Sequence, residues 1–220
     1  PIADFEITPD VAIVDPELAE TMPQKLVAHT GMDAMTHAIE AYVSTANCDF
    51  TDPLALHAIK MIQNDLVGSY NGDMEKRDAM HNAQCLAGMA FSNALLGIVH
   101  SMAHPLGALY DTPHGIANAI ILPTVMEYNA EATGEKYRDI AKAMGVEGTE
   151  NMSQEEYRKA AVDAVKQLSK DVGIPTDLKD IVKKEDIPFL AQSAYDDACR
   201  PGNPKETSIE DITKLYESLI

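Results

Sequence analysis

The sequence predicts an all-α domain, on three observations. Apolar residues recur at helical spacing almost everywhere after residue 16, β-branched alternation is confined to VAIV at 11–14, and helix-start signals recur along the chain. At 220 residues with 45% apolar content, the chain can bury a full core. No linker divides it convincingly, so residues 1–220 read as one domain with a strand-like opening segment over 1–15.

Taken in order, that segment runs PIADFEITPDVAIVDPEL and places VAIV behind Pro9. Thr21, two residues before Pro23, opens a helix over 23–44, with Gly31 as the point at which it would break. Thr51-Asp52-Pro53 starts a helix over 53–69, and apolar periodicity carries further helices over 74–96 and 98–110. Pro113 starts the next, over 115–129, and another follows over 134–144. Ser153, with Glu156 three residues on, is a capping box for 153–172. Helices over 185–198 and 208–219 complete the set, the last capped by Ser208. GVEGTENM at 145–152 and RPGNPKE at 200–206 read as exposed connections.

Composition excludes several functions. The net charge of −18 repels phosphate backbones and anionic lipid surfaces, so nucleic acid is not an expected partner. No run approaches the roughly 18 apolar residues a membrane span needs, and the N-terminus lacks the features of a secretory signal. A cytoplasmic location is expected. Cys48, Cys85 and Cys199 are odd in number and contain no CxxC, which fits a reducing compartment and argues against a thiolate zinc site. The 12 glycines form no GxG and no GxxxxGK, so no phosphate-cradling loop is present.

The chemistry-bearing residues are concentrated in two stretches. All seven histidines lie in the first 114 residues, and GIVHSMAHPLGALYDTPHG at 97–115 holds His100, His104 and His114 with one charged residue, Asp111. A buried imidazole left without a partner costs roughly 1–3 kcal/mol, so these rings need a metal, a substrate or other side chains. In TGMDAMTHAIEAYV at 30–43, Asp33 and His37 stand four apart and rise from one helix face. His100 and His104 repeat that spacing on a second helix, and His114 follows Pro113 on a third. Carboxylate oxygen plus imidazole nitrogen suits Fe(II), Zn(II) or a similar divalent ion. An Asp/His pair at this spacing is more often a plain intrahelical contact; two such pairs and a third histidine in apolar surroundings favour metal. Spacing does not decide which of the three later histidines coordinate.

The other candidates have ordinary explanations. His29 lies across Gly31 from Asp33 and reads as a structural or surface residue, and His57 and His81 read as partly exposed residues among Lys60, Lys76 and Arg77. Met32, Met35, Met61, Met80, Met89 and Met102 read as flexible core fillers.

Two long stretches carry a family resemblance. AIVDPELAETMPQKLVAHTGMDAMTHAIEAYVS resembles the first signature of the iron-containing alcohol dehydrogenases, and GMAFSNALLGIVHSMAHPLGALYDTPHGIANAIILP resembles the second. GNPKETSIEDITKLYESLI is similar to the family's ending, so the likeness covers essentially the whole chain. It implies the C-terminal helical bundle of that family. It also implies Asp33, His37, His100 and His114 as metal ligands, with His104 unligated beside the metal and facing nicotinamide and substrate. Phe91 is implied as a pocket wall, and Cys199 as approaching the pocket. Glu40, two turns beyond Asp33, reads more readily as a solvated or helix-pairing carboxylate than as a group orienting a ligand.

The reaction implied is alcohol to aldehyde with hydride passing to NAD(P)+, or the reverse, with Fe2+ or Zn2+ as Lewis acid and His104 as proton relay or cofactor contact. The family's N-terminal α/β nucleotide domain, with its GGGS loop, has no counterpart here, and the chain starts at Pro1. The expectation is therefore a metal-binding half. NAD(P) would be held mainly by the missing domain, the isolated chain would be inactive, and the intact enzyme would be a homo-oligomer acting on a small primary alcohol or aldehyde. Two rivals remain at this level. One is a zinc-dependent non-redox enzyme on a dehydroquinate synthase-like scaffold, and the other a non-catalytic acidic helical module.

Overall fold

The computed structural model describes residues 4–220, and the regular structure among them is helical throughout. Along the chain run α1 (Gln24–Val43), α2 (Asp52–Tyr70), α3 (Met74–Ala94), α4 (Ile98–Tyr110), α5 (His114–Asn129), α6 (Lys136–Ala143), α7 (Gln154–Asp171), α8 (Ile187–Tyr195) and α9 (Ile209–Ser218). Short 3-10 turns lie between several of them.

The helix starts follow capping chemistry. Ser153 and Ser208 each close a capping box, with Glu156 and Asp211 respectively. Asp73 caps α3 by accepting from the amides of Glu75 and Lys76. At α1 the residue ahead of the first turn is Pro23 itself, in extended backbone, not Thr21.

Four expectations are corrected. The strand at 11–14 does not form: Val11 and Ile13 are 75% and 88% exposed, and no strand among the described residues offers a ladder. β-branched residues favour a strand only where a pleated neighbour covers them. Gly31 does not break α1. A β-carbon there would come within 2.2 Å of Leu66 Cδ1, so the glycine lets α2 pack close against α1. Met89 faces outward, half-exposed. In the 200–206 connection Gly202 and Asn203 are buried, because Asn203 exchanges two amide hydrogen bonds, 2.8 and 2.9 Å, with Asn129 of α5.

The packing places α1 at the centre, against α2, α3 and α5. Its Met32, Met35 and Ile39 are fully buried, each such side chain stabilising by about 1.5–3 kcal/mol. α4 packs on α5 and α8, α8 on α9, and α7 on both α5 and α6. α3 and α4 meet at 106° across Leu95-Leu96-Gly97, which sets the end of one and the start of the other over the same face of α1. No single helix among the described residues is long and apolar enough to cross a membrane.

Candidate metal centre

Three helices converge at that face. α1 presents Asp33 and His37 one turn apart, α4 presents His100 in its first turn, and α5 begins with His114. One oxygen or nitrogen from each of the four lies within 4.8 Å of the other three. Asp33 Oδ1 is 3.7 Å from His100 Nε2 and 3.5 Å from His114 Nε2. Two atoms each bound at about 2.0–2.1 Å to one tetrahedral ion stand about 3.4 Å apart, so the spacing suits a shared cation. The His37 ring is stacked between Phe91, at 4.4 Å, and His100, at 4.6 Å, which fixes its plane.

The protonation pattern supports the same reading. Glu40 is 4% exposed, and its Oε2 accepts a 2.6 Å hydrogen bond from Nδ1 of His100 while Oε1 accepts a 2.8 Å bond from the Val99 amide. The expectation of a solvated Glu40 is therefore corrected, since α4 docks its first turn onto that carboxylate. A carboxylate only accepts, so His100 donates from Nδ1 and turns Nε2 toward the cluster. That Nε2 is buried and has no hydrogen-bond partner. An orphaned acceptor costs about 1–3 kcal/mol, and a cation is the partner its lone pair fits. Burial, reinforced by His100, holds the His37 pKa down to about 4 against the pull of Asp33, so the ring is neutral near pH 7. Burial also lowers His114. Neutral imidazole is the ligating form.

His104, one turn beyond His100, stands outside this group. It is about half-exposed, its ring stacks on His114 at 5.5 Å, and its Nδ1 donates to Asp197 Oδ2 at 2.8 Å. Cys199 lies beside that pair. Burial, then Asp197, pushes its thiol up to about 12, so it stays a neutral wall group. His29, His57 and His81 take no part in the cluster.

Two residues of the site were not foreseen. Asn118 of α5 donates from Nδ2 to Asp33 Oδ1 at 2.5 Å and lies 3.0 Å from His114 Nε2. Its four-residue spacing from His114 was a legible signal. Asp197, in the connection after α8, had none, because its partner lies 93 positions away.

Residues 27–220 match the Fe-containing alcohol dehydrogenase family, C-terminal region. The chain belongs to the iron-containing alcohol dehydrogenases. Within that family it is 56% identical over 211 residues to lactaldehyde reductase of Escherichia coli (strain K12), covering 96% of this chain and 55% of that protein. It is 53% identical over 222 residues to NADPH-dependent butanol dehydrogenase of Clostridium saccharobutylicum, covering 99% of this chain and 56% of that protein. The crystal structure of 1,3-propanediol oxidoreductase superposes with a TM-score of 0.91 at 42% identity, over 94% of this chain and 55% of that one. The chain thus spans about half the length of each of these three relatives. Its architecture is the family's C-terminal helical domain, and Asp33, His37, His100 and His114 all fall in the matched region.

Proposed function

We propose that Asp33, His37, His100 and His114 hold one divalent cation, and that this domain is the metal-binding half of an NAD(P)-dependent alcohol dehydrogenase. The observation that carries the reading is the buried, partnerless Nε2 of His100, held toward the cluster by Glu40 from behind. When bound, the cation supplies a Lewis acid for the oxygen of an alcohol or aldehyde. Family membership favours iron, and the one-oxygen, three-nitrogen donor set also accepts zinc.

The chain's own residues divide the remaining work. His104 and His114 are each more than 40% exposed at the side chain, so the cluster opens toward them and substrate approaches from that side. His104 exchanges the hydroxyl proton and contacts the cofactor. Phe91 walls the pocket and holds the His37 ring, while the neutral Cys199 thiol lines it without reacting. A sequence without a phosphate-cradling glycine loop leaves NAD(P) to a separate nucleotide-binding half, and this chain covers only 56% of the butanol dehydrogenase and 55% of the lactaldehyde reductase. Butanol dehydrogenase and lactaldehyde reductase among them support a small primary alcohol or aldehyde as substrate.

The test is metal stoichiometry and thermal shift. The chain should take up one Fe2+ or Zn2+, and its melting temperature should rise with metal by mass action, about 2.7 kcal/mol at 100 times Kd. Asp33→Ala and His37→Ala should abolish both effects. A melting temperature indifferent to metal and chelator would instead mark the histidines as core residues of a non-catalytic module.

A further inference from the structure

Asp197 is held from two sides. Its Oδ1 accepts a 2.8 Å hydrogen bond from the Cys199 amide and lies 3.3 Å from the Ser101 hydroxyl, while Oδ2 accepts the proton of His104 Nδ1 at 2.8 Å. Burial opposes ionisation there, yet the bonds from His104 and the Cys199 amide outweigh it and hold the carboxyl at about 2. His104, Asp197 and Cys199 also gather atoms within 4.8 Å, as metal ligands do. The 2.8 Å separation decides against that use, because co-ligands of one tetrahedral ion stand about 3.4 Å apart. A hydrogen-bonded carboxylate–imidazole dyad is the arrangement that fits.

We propose that Asp197 is the positioning residue of the reaction: it fixes His104 in the tautomer with its proton on Nδ1, so that Nε2 presents a lone pair to the reacting hydroxyl. This inference rests on the reading of His104 as the proton-exchanging group. In the oxidative direction the O–H bond breaks, its proton forms the second N–H bond at Nε2, and the resulting imidazolium lies against the Asp197 carboxylate. The hydride leaves separately for the nicotinamide. The same dyad logic orients the histidine of a serine-protease triad, where replacing the aspartate by asparagine leaves geometry intact and selects the wrong tautomer.

Asn is the informative replacement here as well. In Asp197→Asn the Cys199 amide still requires an acceptor, so the amide oxygen stays on that side and the NH2 turns to His104. Nδ1 must then accept, and the ring proton moves to Nε2. The experiment is long-range 1H–15N correlation on the zinc-loaded chain, with the pH raised until the His104 ring has lost its second proton, because the hydrogen bond to Asp197 raises its pKa, and with the His104 signals assigned by His104→Ala. Wild type should show protonated Nδ1 and bare Nε2, and Asp197→Asn the reverse. Paired with its nucleotide-binding half, Asp197→Asn should lose about 100-fold or more in kcat/KM at unchanged metal content.

Protonated Nε2 in wild type overturns the proposal, a result that stands even if the variant does not fold. An unchanged tautomer and rate in Asp197→Asn overturn it too. Full activity in His104→Ala, with the tautomer still reversed by Asp197→Asn, would instead remove the role of His104 and leave the positioning geometry.

Discussion

Glu40 and His100 form a buried pair at 2.6 Å, and the same carboxylate takes up the amide of Val99, so one side chain of α1 both docks α4 and orients its imidazole. In Glu40→Gln the amide oxygen must stay on the Val99 amide, which turns the NH2 toward Nδ1 and forces the His100 proton onto Nε2. That proton occupies the lone pair meant for the metal. Affinity should fall about 10–100-fold, the usual effect of losing a partner behind a ligating histidine. Competition against a chromophoric chelator measures it, and wild-type affinity in the variant would show that Glu40 serves packing alone.

Gly115 supports the site from a different side. A β-carbon there would meet the backbone oxygen of His29 at 2.2 Å and its carbonyl carbon at 2.6 Å, and backbone cannot swing away as a flexible side chain can. Gly115→Ala should therefore cost about 1–3 kcal/mol in denaturant unfolding and displace His114, weakening metal uptake. If stability and uptake both persist, the close approach of α5 to α1 is wrong.

The metal-free chain should be acid-sensitive through His37. Its folded pKa of about 4 lies below the unfolded value of 6.5, so the unfolded state binds more protons between them. Stability from this group is complete above about 6.5 and is lost as pH falls toward about 4. Melting temperatures of chelator-treated protein should fall across that window, and His37→Gln should flatten this part of the profile. Parallel profiles for variant and wild type would count against a buried neutral ring.

Leu95, at the bend between α3 and α4, has φ 68° and ψ −179°, a region essentially reserved for glycine. Such strain costs about 1–3 kcal/mol, whereas a glycine adds about 0.5–1 kcal/mol of backbone entropy. Because Leu95 is 51% exposed, little burial is lost. Leu95→Gly should raise the melting temperature, and a lower one would mean that its packing outweighs the strain.

The helices were legible because their causes are local. Apolar period and capping boxes act over three or four residues, so the order of helices, the Asp33/His37 pair and the Pro-led start before His114 could be read directly. Resemblance selected the proposed ligand set within that pattern. What periodicity misjudged was always a matter of neighbours: VAIV reads as a strand but meets no partner, and Gly31 reads as a break but meets Leu66.

The sequence by itself determined an acidic all-helical domain of the iron-containing alcohol dehydrogenases, with its histidines concentrated in the first half. Only the tertiary structure decided that Glu40 holds His100, that Asn118 bonds Asp33 and that Asp197 holds His104, across 60, 85 and 93 positions of chain. The reason is physical: a helix sets which side chains share its face, but the proton on an imidazole depends on which group another helix brings against it.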